Sequence, residues 1–108
     1  MEIHVKIIDK VLVIEVEGDF TSPEAVGANY KMIDKITEAG KKRVVLDLGK
    51  VDMVDSIGLG VLMNIRKYAK KNHIFFATVG VGENIKNTFN YTEINNYLNV
   101  HQSLDKLL

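Results

Sequence analysis

Apolar and polar residues alternate in two opening runs, Glu2 to Ile8 and Val11 to Glu17, and Asp9-Lys10 between them reads as a hairpin turn. Gly18-Asp19 ends the second run, after which the period changes. Ser22-Pro23-Glu24 is a helix start, with Ser22 as N-cap and Pro23 at the first helical position. This helix carries Val26, Tyr30, Ile33 and Ile36 or Thr37 on one face and stops near Gly40. Arg43-Val44-Val45-Leu46-Asp47-Leu48, β-branched, apolar and bounded by charge, predicts a buried strand. Val61 to Lys71 has helical spacing, and Ile74 to Val79 is a further buried strand. Gly80-Val81-Gly82 turns into a short helix, about Glu83 to Tyr91, and a weak strand is expected around Tyr97 to Val100. Ser103 caps a last amphipathic segment with Leu104, Leu107 and Leu108. The order β-β-α-β-α-β-α-β-α predicts an α/β fold with helices packed on a mixed sheet.

At 108 residues, one domain with a single core is expected. Net charge is zero, so no global field favours nucleic acid or an anionic membrane, and local surface selects any partner. The absence of cysteine excludes disulfides, thiolate catalysis and cysteine metal sites. No apolar run approaches the roughly 18 residues that span a bilayer. The start, Met1 to Lys6, lacks the apolar core of a signal peptide, so a cytoplasmic protein is expected and the Asn90-Tyr91-Thr92 glycosylation triplet is noise.

The run Asp55-Ser56-Ile57-Gly58-Leu59-Gly60 puts a hydroxyl where a strand gives way to a helix. Ser56 at or just before the helix start is expected to cap it. A phosphate there would meet unpaired N–H groups and the positive end of the helix dipole. Along the helix, Gly58, Val61, Leu62, Ile65, Tyr68 and Ala69 form the core face. Leu59 and Met63 share another stripe with Arg66 and Lys70, and are expected to be solvent-exposed in a docking surface beside Ser56.

Other chemistries fit less well. Val54 stands where a nucleophile elbow needs glycine, and none of His4, His73 and His101 is placed beside Ser56. No two histidines have metal-ligand spacing, and neither Gly58-x-Gly60 nor Gly80-x-Gly82 extends to a nucleotide loop, so no metal or cofactor is expected. Close backbone approach is the structural reading of Gly58 and Gly60. A receiver domain needs paired acids after its first strand, and Asp9 stands alone in a hairpin. The basic clusters Lys41-Lys42-Arg43 and Arg66-Lys67 with Lys70-Lys71 read as solvated faces.

Val54 to Leu62 resembles the Asp-Ser-Ser/Thr-Gly-Leu-Gly signature of STAS domains, specifically bacterial anti-sigma factor antagonists. The resemblance spans the chain: Gly18-Asp19 matches the family's Gly-Glu-Leu-Asp region, Arg43 to Leu48 its central strand, and Phe89 to Ile94 the stretch before its last strand. It implies a single STAS domain over residues 1–108, with an opening hairpin, parallel strands and helices mainly on one face. It also implies partner switching without enzymatic activity. The unphosphorylated antagonist would bind an anti-sigma factor that is also a GHKL-type serine kinase and so free a sigma factor. Phosphorylation of Ser56 would reverse this, and a PP2C-type phosphatase would reset it. Asp55 would shape the acceptor site, with Ile57, Gly58, Leu59, Met63 and Thr21 in the partner surface. The chain departs from the family at Ile57, where Ser or Thr is common, and at Thr21, which replaces an acid. A non-phosphorylated scaffold or sensor is the alternative, and a small serine hydrolase or nucleotidase centred on Ser56 the enzymatic rival.

Overall fold

The structure, a computed structural model, describes residues 1–91 and 93–108, and of residues 90 and 91 the backbone alone. Thr92 and the side chains of the other two members of the Asn90-Tyr91-Thr92 triplet therefore lie outside the described residues. Strands β1 (Glu2–Ile8) and β2 (Val11–Glu17) form the expected antiparallel hairpin, and both Asp9 and Lys10 have the positive φ that a two-residue turn requires. Helix α1 (Glu24–Ala39) leads to β3 (Arg43–Lys50), parallel to β2, and α2 (Ser56–Lys71) leads to β4 (Phe75–Val79), parallel to β3. The four-stranded sheet therefore runs β1-β2-β3-β4. Helices α3 (Glu83–Tyr91) and α4 (Ile94–Tyr97) and a 3-10 turn (Leu104–Leu107) complete the fold.

Both faces of the central strands are covered, so β2 is buried nearly throughout. Leu12, Ile14, Val16, Val44, Leu46 and Leu48 pack with residues of all four helices in the main core. Val11, Val13, Val45, Ala77 and Val79 face the other way and pack with Leu107 of the 3-10 turn. The Arg43 guanidinium donates to the Leu107 carbonyl and holds that turn down. Helices thus lie on one face, as expected, and a short C-terminal turn seals the other.

Three details correct the sequence reading. Helix α1 buries Ala25, Ala28, Met32 and Ile36, while Val26 and Tyr30 are exposed. Its apolar stripe is wider than the strip that meets the core, and Ala25 and Ala28 share that strip with Met32 and Ile36. Pro23, not Ser22, occupies the N-cap position of α1, and no side chain caps it. The backbone N–H of Ser22 is instead directed to Asp55. The weak strand at Tyr97 to Val100 is a short helix followed by a single bridge between Thr78 and Val100, because Asn99 adopts positive φ and interrupts the extended chain.

That bridge closes the β4 edge. Thr78 is fully buried; its N–H donates to the Asn99 carbonyl (3.1 Å), its carbonyl accepts from His101 N–H (2.8 Å), and its hydroxyl donates to the Leu98 carbonyl (2.9 Å). Thr78→Val preserves shape and leaves that carbonyl without its partner. It is expected to cost about 1–3 kcal/mol, read as a lower urea midpoint at unchanged slope.

Candidate functional site

The loops after β2 and β3 are joined before either helix begins. Gly18 N–H donates to the Lys50 carbonyl (3.0 Å) and Phe20 N–H to the Met53 carbonyl (2.8 Å), and Phe20 pairs with Val54 in a parallel bridge. Phe20 itself is fully buried. This pairing brings Ser22 beside Asp55. One carboxylate oxygen of Asp55 accepts from Gly58 N–H at 2.7 Å and the other from Ser22 N–H at 2.9 Å.

Asp55 is therefore the N-cap of α2, and Ser56 is its first residue. The expectation that Ser56 caps the helix is corrected. Asp and Ser are comparable caps, and Asp55 stands one residue earlier with a second donor available from Ser22. The serine is left at the surface: Ser56 is exposed. Thr21 is half-buried beside Ser22, and its carbonyl accepts from Ala25 N–H in the first turn of α1 (2.9 Å).

Hydrogen bonds from Gly58 N–H, then Ser22 N–H, hold the Asp55 carboxyl below its ordinary 3.8, with a smaller contribution from Ile57 and against a desolvation that raises it. A carboxylate thus already occupies the helix N-terminus, and a phosphate on Ser56 would arrive beside a fixed negative charge. The expectation of several unpaired amides awaiting it is corrected to that extent.

Gly58 shows why the signature has glycine at this point. A Cβ there would lie 2.0 Å from the Phe20 carbonyl oxygen. Gly60 has nothing within 4 Å of its Cβ position, so the close-approach reading holds for Gly58 alone. Instead, Gly60 lies in a shallow groove of about 230 Å³ between α1 and α2, with Val26, Tyr30, Ile57 and Val61. Val26, Tyr30 and Ile57 are exposed by 50%, 69% and 46%, and Met53 on the loop toward Ser56 by 58%. Asn64 and Asn29, also lining the groove, hydrogen-bond each other across the two helices (2.8 Å).

The docking stripe read from the sequence moves accordingly. Leu59 and Met63 are half-buried against the main core, not exposed. Their stripe turns toward α4, where Arg66 Nε donates to the Tyr97 carbonyl (3.1 Å). Ile57 is the one predicted partner residue of this helix that offers an exposed apolar side chain; the signal missed was the pairing of Val26 and Tyr30 with it across the helix–helix seam. Tyr68, expected on the core face, is half-buried with its hydroxyl 2.8 Å from Thr37 Oγ1.

His73 lies in the turn before β4 and His101 in the segment after Val100. His4 sits on β1 with Nε2 3.3 Å from carboxylate oxygens of both Glu2 and Glu17, and the three ligand atoms lie within 4.8 Å on an exposed face. Scanning histidine–histidine spacing could not find this group, because Glu2 and Glu17 meet only through strand pairing.

A family model of the STAS domain matches residues 2–107. An anti-sigma factor antagonist of Thermotoga maritima, provisionally so named, is 23% identical over 95% of this chain and 91% of its own length. The crystal structure from that organism superposes with a TM-score of 0.89, covering 97% of this chain and 90% of that one. The structure of a substituted form of RsbS from Moorella thermoacetica is 19% identical with a TM-score of 0.78, covering 98% and 91%. The phosphorylated form of the Bacillus cell fate determinant SpoIIAA is 9% identical with a TM-score of 0.71, covering 98% and 96%. Among the described residues, no helix is long and apolar enough to cross a membrane.

Two expectations follow from this geometry. Gly58→Ala forces the Phe20 backbone away and is expected to cost about 1–3 kcal/mol or more, whereas Gly60→Ala is expected to gain about 0.5–1 kcal/mol; thermal unfolding distinguishes them. Asp55 has a depressed folded-state pKa, so its stabilisation is complete above 3.8 and is lost as pH falls through the lower folded value. The stability difference between wild type and Asp55→Asn, measured by urea unfolding, is expected to shrink from near neutrality to well below pH 3.8.

Proposed function

Because the chain belongs to the STAS domain family, we propose that it is an anti-sigma factor antagonist, working in the cytoplasm by binding rather than by turnover. One observation carries the reading: Ser56 is exposed at the first residue of α2, next to Ile57 and the apolar groove it shares with Val26 and Tyr30. The names of the relatives support the same role.

In this proposal the unphosphorylated surface, Ser56 with Ile57, Tyr30 and Val26, docks on an anti-sigma factor that is a GHKL-type serine kinase. Asp55 and Gly58 hold the acceptor in place, and Thr21 lies on the adjoining loop. The kinase then phosphorylates Ser56, adding about −1.5 to −2 charges at a packed interface. The new charge is desolvated there and faces the Asp55 carboxylate. Each 1.4 kcal/mol lost is tenfold in affinity, so one phosphate separates the pair without refolding the domain. A PP2C-type phosphatase restores the binding form.

Incubation with the cognate kinase and ATP, followed by mass spectrometry, is expected to place one phosphate on wild type and none on Ser56→Ala. Binding of the kinase without modification of Ser56 would assign the scaffold role instead. Tyr30→Ala and Ile57→Lys are each expected to weaken the unphosphorylated complex at least about tenfold in calorimetry, as loss of an interface anchor does. Leu59→Lys is expected to lower the stability of the domain itself.

A further inference from the structure

Strand register gathers three side chains with metal-ligating atoms at the open end of the β1–β2 hairpin. Glu2 pairs with Glu17 and His4 with Glu15, so alternation along the strands puts all four on one face of the sheet. Toward the turn this face carries Val11 and Val13, which pack with Leu107. At the open end it meets solvent, and the side chains of Glu2, His4 and Glu17 are 69%, 52% and 49% accessible. His4 Nε2 lies 3.3 Å from Glu2 Oε2 and 3.3 Å from Glu17 Oε1, and all three atoms fall within 4.8 Å of one another. No other such group of histidine and carboxylate side chains occurs among the described residues.

The charge on this face favours a cation. Glu2 and Glu17 stand directly opposite each other, an arrangement in which like charges repel. Glu15 and its β3 partner Asp47 add carboxylates on the same face. Lys50 Nζ lies 3.3 Å from Glu15 and is engaged there. Lys6 follows His4 on this face, about 7 Å farther along β1. Among the described residues, no lysine or arginine bridges to Glu2 or Glu17, and His4 alone meets them both. A protonated His4 brings one positive charge to the pair. A divalent cation brings two, and uses a lone pair of the neutral imidazole as well.

We propose that Glu2, His4 and Glu17 bind a zinc ion. Tetrahedral zinc, with bonds of about 2.0–2.2 Å, holds its ligand atoms about 3.3–3.6 Å apart. Both His4 contacts already match that spacing, and rotation of the exposed glutamate side chains closes the remaining edge. An imidazole among the ligands suits zinc better than magnesium or calcium, which take oxygen. Three protein ligands leave the fourth position to water or to a donor from a partner. Glu2 and His4 come from β1 and Glu17 from β2, so the ion would pin the free end of the hairpin, one residue before Gly18 N–H joins the Lys50 carbonyl.

The test is titration of the isotope-labelled full chain with zinc chloride near neutral pH, in a buffer that does not chelate, read by calorimetry and NMR. One saturable site is expected, at least about a hundredfold tighter for zinc than for magnesium. Shifts are expected at the His4 ring and in the amides of residues 2–5 and 15–18. His4→Gln and Glu17→Gln are each expected to weaken binding about tenfold or more, and His73→Gln to leave it unchanged. All three positions are exposed, and the unfolding midpoint without metal checks that each variant keeps the fold. Equal binding of magnesium would reduce the site to diffuse attraction by an acidic face and overturn the proposal. So would shifts centred on His73 or His101, a failure to saturate at millimolar zinc, or indifference to His4→Gln. None of these outcomes bears on Ser56.

Discussion

Asp55 directs its two carboxylate oxygens to backbone N–H groups from different segments, Gly58 in the first turn of α2 and Ser22 in the loop before α1. The arrangement at this end of the sheet depends on that clamp. It satisfies one of the amides that a helix start leaves without an intrahelical partner, and it ties that start to the loop from the neighbouring parallel strand. Close approach is a precondition, because the first turn packs directly on the Phe20 carbonyl, where only glycine fits. The clamp also bears on how Ser56 is placed. A serine that caps a helix uses its hydroxyl on the backbone; with Asp55 in that role, Ser56 can present its hydroxyl outward.

The strands, the two long helices and the hairpin were legible because their signals are local: alternation before Glu17, the apolar run at Val44 to Leu48, glycine at position 40. The signature glycine was legible as a close approach for the same reason. The sites of error share a different origin. Val26 and Tyr30 have helical spacing with Ile33, yet which stripe becomes core is set by what the sheet presents, and Ala25, Ala28 and Met32 take that position with Ile36. Leu59 and Met63 looked exposed on a wheel of α2 taken alone; α4, which no strong pattern announced, packs near their stripe. Alternation around Leu98 and Val100 suggested a strand, but positive φ at Asn99 is a tertiary outcome that the hydrophobic pattern does not contain. Asp55 and Ser56 are comparable caps, and the donor that favours Asp55 comes from Ser22, distant in sequence.

A division of labour along the site follows from burial. Phe20 and Gly58 are internal and fix the positions of the two loops, and Asp55 joins them; Ser56, Ile57, Tyr30 and Val26 are external and lie outside the buried core. A modification confined to the outer set leaves the inner set in place.

The same division explains why a charge placed on Ser56 would act at an interface more than on the free domain. In water, a phosphate beside the Asp55 carboxylate is screened by solvent and mobile ions, and the helix dipole offsets part of the repulsion. A partner packed over Val26, Tyr30 and Ile57 would exclude that solvent, and the like-charge interaction would grow as the local dielectric falls. The Gly58 and Ser22 amides hold the Asp55 pKa below its ordinary value and so favour its charged form. The carboxylate cannot swing away without releasing the start of α2. The hydrogen bonds that build the site therefore also fix the negative charge that a phosphorylated Ser56 would bring into a closed complex, and separation of the partners is the least costly response.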